Sequence, residues 1–429
     1  MKKLSLLLVL VVILLSLPLS ISAQDLPFSG RVINFLTIQP HAVASRAAAE
    51  LFEAETGADV QVLVVPFPNI TEKALLDVAS GAGEYDVVEI WYTSLGQLAS
   101  NGVLVDLTEW WDANAEAINA EDFAPTIVEP YTLWDGKRWA LPYDGDTHVI
   151  WFNTALLEQY GQEIPTTWEE YATVAQAITE AGSADGIYGA AIQALPAPII
   201  QISSFANRLG GFGGSFFDAE GNPSINTPEA VDALQNLLDT APYALPTPAS
   251  VGFDETIAAF STGNVAIAEF WTDFGQIVGG VEGSTVGDNL AVRPILVGGD
   301  NETPRPALNA GFAVGISTLA QDPEVAQAFL EFLARPDINV TLNTIVGGLD
   351  PTRLSTFDNP VYIEHVGQDV ADAARAALLG ATAWGNTPEW AEQQEVLNNN
   401  LSAAIVGDLT AQEALDATQA EWERIHAGN

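Results

Sequence analysis

Cysteine is absent from all 429 residues. That removes disulfides, thiolate metal sites, cysteine nucleophiles and a lipidated N-terminal cysteine together. Cations are almost as scarce: 14 Lys+Arg stand against 56 Asp+Glu, a formal net charge of −42. Nucleic acid demands clustered cations that displace counterions from phosphates, so it is all but excluded as a partner. An anionic membrane surface is disfavoured for the same reason. Charged residues of both signs make up only 16% of the chain, below the usual quarter, so the surface must lean on Asn, Gln, Ser, Thr and Gly. Phosphate-loop, GxSxG and HExxH motifs are missing; the Gly136-Lys137 pair is followed by Arg138. The four histidines (41, 148, 365, 426) are scattered and form no metal-ligand spacing. Asp218-Ala219-Glu220-Gly221-Asn222 has the composition of a calcium loop without its spacing, and reads as a turn.

What is present belongs to a folded protein. Hydrophobic residues make up 48% and aromatic residues 9%, far from a disordered composition. Met1-Lys2-Lys3, an apolar run from Leu4 to Leu19 and the small residues Ser20-Ile21-Ser22-Ala23 have the order of a secretory signal peptide cut after Ala23. The competing reading is an N-terminal membrane anchor, against which the Pro18 bend and the small-residue exit argue. No later stretch holds 18 consecutive apolar residues, so nothing else is long enough to span a bilayer. Removing Lys2 and Lys3 leaves 12 basic residues against 56 acidic ones. The expected product is secreted, in the periplasm or another extracytoplasmic space, and without a lipid anchor.

Hydrophobic periodicity then alternates between strand and helix. Arg31 to Ile38, Asp59 to Val65 and Asp86 to Ile90 are expected strands. A helix from Ala42 to Glu55 and one opened by Asn69-Ile70-Thr71-Glu72 separate them, the latter start resembling a capping box. Such βαβαβ order implies parallel pairing with right-handed crossovers. A second α/β region starts near Thr147. Its expected strands are Thr147 to Asn153, Ile187 to Ile192, Val265 to Phe270 and Ala313 to Ile316. Helices are expected at 154–160, 167–179 (opened by Thr167 with Glu170 three residues on), 323–333, 368–378, 388–405 and 411–425. Gly210 to Gly214 reads as a flexible surface turn.

Several segments, in order, carry a resemblance. Leu51-Phe52-Glu53-Ala54-Glu55-Thr56-Gly57, Ala79-Ser80-Gly81 with Tyr85-Asp86-Val87-Val88, and Gly102 to Leu107 come first. Leu141-Pro142-Tyr143, Phe152-Asn153-Thr154 and Ile164 to Glu169 follow. Ala259 to Ala266, Asn309 to Ser317, Pro351-Thr352-Arg353 and Gly407 to Trp422 complete the set. The chain resembles the extracellular solute-binding proteins of ATP-driven importers, specifically the family 1, maltose-binding-like sugar binders. The resemblance implies an α/β, two-lobed periplasmic-binding-protein fold of the type II-like class, with a ligand cleft between lobes and a hinge crossed more than once. It implies residues 24–146 and 310–349 in lobe 1, and 147–309 and 350–429 in lobe 2.

Sugar recognition needs flat apolar faces for pyranose C–H surfaces, and carboxylates or amides that accept hydroxyl hydrogen bonds. Ligands of open α/β sheets sit beyond the carboxyl ends of strands, where Trp91 and Tyr92 follow the third strand. The family often has a carboxylate at the position of Trp91, so a stacking role is expected there; packing between helices is the alternative. Asp144 and Asp146 point to one face if extended, and the resemblance makes both hydroxyl acceptors; a solvated acidic turn is the alternative. The resemblance also makes Trp271 an aromatic platform, with Asp273 beside it. It places Gly311-Phe312 with backbone near the ligand, and makes Arg353 a sugar contact. His41, in the first strand–helix loop, and Trp384, as a late aromatic wall, complete the candidates.

The expected function is capture of a mono- or oligosaccharide by hinge closure and delivery to the permease subunits of an ABC importer, by a monomer without cofactor, metal or chemistry of its own. Two alternatives stay open. Acidic groups between aromatic walls also suit a cationic amine or polyamine. A secreted glycoside hydrolase could use Asp144, Asp146 or Asp273, since residues two apart in a strand lie roughly 6.6 Å apart, within the range hydrolases use. Glycosidases, however, flank the scissile bond, whereas one strand offers both carboxylates from one side.

Overall fold

The computed structural model describes residues 26–287, 289–345 and 348–428; the expected signal peptide lies outside them. Two sheets organise the chain. The strands are β1 (Val32–Ile38), β2 (Asp59–Val65), β3 (Val87–Trp91), β4 (Leu141–Asp144), β5 (Val149–Asn153), β6 (Tyr188–Ala191), β7 (Val265–Phe270), β8 (Leu290–Arg293) and β9 (Phe312–Ile316). The first sheet runs β2-β1-β3-β9-β4 and the second β8-β5-β7-β6. β1 pairs in parallel with β2 and β3. β9 returns from the far part of the chain and pairs antiparallel with both β3 and β4. In the second sheet β5 is antiparallel to β7 and β8, and β6 is parallel to β7. The result is a two-lobed α/β fold.

In these two sheets the expected strands form with ends shifted by at most two residues, and two strands are added. β4 and β8 were not anticipated: Leu141-Pro142-Tyr143-Asp144 carries a proline, tolerated because β4 is an edge strand, and Leu290–Arg293 is a short edge too. β5 begins at Val149, so Thr147 and His148 precede it.

Helices cover both faces. Ala42–Thr56 and Pro323–Leu333 pack on the first sheet, joining Phe35, Phe52, Phe329 and Leu330 in one core. Trp168–Gly182 and Gln368–Gly380 pack on the second, and beyond them Ser203–Gly211, Pro228–Thr240, Trp390–Ile405 and Ala411–His426 pack on one another. Thr167 caps its helix by accepting from the Glu170 N–H at 3.1 Å. Asn69 precedes the Ile70–Ser80 helix but makes no side-chain cap, contrary to its sequence pattern.

The Gly210–Gly214 expectation is corrected. Gly210 and Gly211 end a helix whose nine residues are all buried. A Cβ on Gly210 would come 1.8 Å from the Arg305 carbonyl oxygen, so the small residue serves close packing rather than mobility.

Each sheet holds one glutamate in a fully buried strand. Glu89 in β3 accepts from Ile38 N and Thr37 Oγ1 and contacts His41 Nδ1 at 2.6 Å. Glu269 in β7 pairs with Arg208 Nη1 at 2.7 Å, and Asn207 donates to its other oxygen. A buried charge is costly unless paired and hydrogen-bonded, and both conditions are met.

Candidate functional site

The pairing register sets where the two sheets face each other. Phe312, at the start of β9, lies opposite Trp91 and Asp144, at the ends of β3 and β4. Val149, at the start of β5, lies opposite Phe270, at the end of β7. The carboxyl ends of β3, β4 and β7 therefore converge on the segment that crosses between the sheets. A second crossing runs alongside it: Gly145 N–H donates to the Asp350 carbonyl at 3.0 Å, and Asp350 N–H to Asp144 Oδ1 at 2.6 Å.

A cavity of about 280 Å³ opens at this convergence. Six of the eleven sequence candidates line it: His41, Asp144, Asp146, Trp271, Asp273 and Phe312. Asp146 lies in the crossing segment rather than in a strand with Asp144. The other five do not line it. Trp91 is the last residue of β3, buried, with its indole N–H on the Asn309 carbonyl; Phe67 stands 5.2 Å from its ring, on the cavity wall. Tyr92 is fully buried, donating to the Leu308 carbonyl and accepting from Trp384 N. Trp384 packs against Trp91, Phe216 and Trp390. Gly311 abuts the Tyr131 ring. Arg353 is fully buried, donating to the backbone carbonyls of Ile118, Asn119 and Ala334 and stacking 3.9 Å above the Phe123 ring. Its cation is consumed by the interior of the first lobe, which corrects the expectation of a ligand contact.

Sequence reasoning missed Asp350, which brings a fourth aspartate to the cavity, and the rings of Phe67, Phe253, Phe270 and Tyr362. Phe253 and Phe270 stand 5.0 and 5.2 Å from Trp271, edge-on.

The electrostatics follow from burial. Burial disfavours charge on His41, but Glu89, through charge and hydrogen bond, then Asp144 and Asp350, outweigh it and lift its pKa to about 9. It is an imidazolium at neutral pH, with both ring N–H groups donors. Nδ1 serves Glu89, and Nε2 lies 3.8 Å from Asp144 Oδ2.

Asp144 is raised to about 7 by burial, a rise opposed by His41 and reinforced by Asp350. Asp273 is raised to about 7 by burial and then by Asp350. Burial, then Asp144 and Asp350, push Asp146 well above the ordinary carboxylate range. Burial also raises Asp350, opposed by hydrogen bonds from Asp146 and Thr272. The hydrogen bond between Asp146 and Asp350 raises the first and lowers the second, while burial raises both. These groups can accept hydroxyl hydrogen bonds or hold a cation.

A family profile described as bacterial extracellular solute-binding protein matches residues 39–340. A probable ABC transporter-binding protein of Deinococcus radiodurans is 28% identical over 345 residues, 74% of this chain and 77% of that protein. The solute-binding protein of Agrobacterium radiobacter K84 in complex with ribitol superposes with a TM-score of 0.78 at 23% identity, over 93% of this chain and 100% of that one. The maltose-bound MalE3 of T. maritima gives 0.79 at 23% identity, over 92% and 99%. These likenesses agree with the two-sheet topology, and the match to more than half of the chain makes it a member of the bacterial extracellular solute-binding protein family.

Proposed function

We propose that this chain is the binding component of an ABC importer for a sugar or polyol, held in the cavity between the sheets. The observation that carries the reading is the convergence of four aspartates and several aromatic rings where the strand ends of both sheets meet. Ribitol and maltose, bound by similar structures, agree with that chemistry. The cavity is at the small end of the ~300–1,000 Å³ typical of ligand pockets, which favours a ligand of one or two rings over a long oligosaccharide.

The lobes are 24–146 with 310–349, and 147–309 with 350–429, a division supported by β9 joining the first sheet and by the Gln368–Gly380 helix packing on the second; Arg353, just past the crossing, reaches back into the first lobe. The ligand bridges both lobes and shifts an open–closed equilibrium toward closure; the permease then reads the closed form. The protein acts as a monomer, performs no chemistry and is exported by residues 1–23.

Calorimetry with a panel of neutral sugars and polyols, followed by small-angle scattering with the best of them, tests this. Binding with a smaller radius of gyration is expected. Trp271→Ala should weaken it by about 2 kcal/mol or more, as loss of a buried aromatic anchor does. An unchanged scattering profile at saturation removes hinge closure. Unchanged affinity in Trp271→Ala removes the cavity as the site.

A further inference from the structure

The cavity's charges do not balance. Asp144, Asp146, Asp273 and Asp350 line it together with His41 and His365, and among the described residues no lysine or arginine does. The buried cation that faces them, His41, is already committed to Glu89 at 2.6 Å. A neutral polyol donates hydrogen bonds to such a group but adds no positive charge. Arginines that could have served are elsewhere: Arg353 is spent on backbone carbonyls and Arg208 on Glu269.

The acidic cluster does not stand alone. Asp144 is 1% exposed and lines the cavity, yet its Oδ2 has no hydrogen-bond partner among the described residues. The nearest cation, His41 Nε2, stands 3.8 Å away, beyond hydrogen-bond reach; an acceptor without a donor in a dry environment is costly, so a donor within reach would stabilise this oxygen. The Trp271 and Phe312 rings line the same cavity, and the negative face of an aromatic ring attracts ammonium groups; Phe312 also stands 4.8 Å from the His41 ring.

We propose that the natural ligand carries a cationic amine, seated among Asp144, Asp146, Asp273 and Asp350, with the unpartnered Asp144 oxygen as one acceptor. This rests on the cavity being the ligand site of the preceding section, and it narrows the ligand to an amino sugar or amino polyol. The raised proton affinity of the aspartates fits, because an arriving ammonium would displace protons from them.

The test is calorimetry on the mature chain with matched pairs at pH 7: D-sorbitol against 1-amino-1-deoxy-D-sorbitol, and D-glucose against D-glucosamine with N-acetyl-D-glucosamine as its neutral form. Spermidine serves as an amine without hydroxyls. In at least one pair the amine should bind about tenfold tighter or more, as a charge-assisted hydrogen bond outweighs a neutral one. Its heat should vary with buffer ionisation enthalpy as protons are released. Asp144→Asn should narrow the gap between the two members of that pair, its fold being checked by circular dichroism. A panel in which no amine out-binds its neutral partner overturns the inference, whether both bind or neither does. If neutral sugars or polyols bind regardless, the carbohydrate reading survives that failure. If spermidine binds and no hydroxylated compound does, the inference of an amino sugar or amino polyol is overturned and the carbohydrate reading falls with it.

Discussion

Replacing His41 by glutamine removes the cation of the cavity while keeping a side chain that can donate to Glu89. The size of the effect follows from the proton affinity. Folding raises the His41 pKa from 6.5 to about 9, and each tenfold is ~1.4 kcal/mol, so the charged imidazole contributes about 3 kcal/mol to stability. The sign follows from linkage. The folded state holds the proton more tightly, so the contribution is complete below pH 6.5, decays as pH rises through 9, and is gone beyond it.

Facing His41 are Glu89, Asp144 and Asp350, with the Tyr143 and Phe312 rings against it. The raised carboxyls Asp144 and Asp273 also cost stability as pH rises, but in an earlier window, from about 4 to 7. The comparison therefore belongs at pH 7 to 10. Urea unfolding of wild type and His41→Gln, followed by tryptophan fluorescence without ligand, should show a gap that narrows by about 2.5 kcal/mol between pH 7 and 10. A gap independent of pH would refute the imidazolium. A gap that widens with pH would mean that a neutral histidine is the stabilising form.

Two further substitutions test the corrected placements. Arg353→Gln should cost about 3–5 kcal/mol of stability, as breaking a buried charge network does, and leave calorimetric affinity of the folded protein for the best neutral ligand unchanged; a tenfold affinity loss at wild-type stability would return Arg353 to the cleft. Gly311→Ala would place a Cβ 1.2 Å from the Tyr131 hydroxyl oxygen, so the urea midpoint should fall by at least the roughly 1–3 kcal/mol of overpacking. Adding Tyr131→Phe should recover part of that loss, because the unpartnered hydroxyl is the first atom met; no recovery would contradict the packing at this crossing.

The alternation of strand and helix was legible because its causes are local. Val, Ile and Phe runs bounded by polar turns marked β1, β2, β3, β5, β6 and β7, and Thr167 marked a helix start by its own hydrogen bond. β4 was hidden because Pro142 argues against a strand, and only its edge position and its pairing with β9, nearly two hundred residues on, allow it. The site divides in the same way. Residues just beyond strand ends, His41, Asp144 and Trp271, could be placed from order along the chain. Trp91, Trp384 and Arg353 could not, because an aromatic ring or guanidinium gives the same sequence signal whether it faces ligand or core. Asp350 escaped because it meets Asp144 across 206 residues of sequence.

One usable signal was overlooked. A glutamate inside a strand that otherwise buries every residue, as in Asp86-Val87-Val88-Glu89-Ile90 or Val265 to Phe270, demands a cationic or hydrogen-bonding partner nearby. With only 12 basic residues beyond the first 23, the choices for each glutamate were few. Arg208 answers one and His41 the other. Because His41 answers Glu89 from the cavity lining, pairing that buried charge also fixes a cation opposite the aspartates. The same contact stabilises the lobe and leaves the remaining negative charge of the cleft for a ligand to meet.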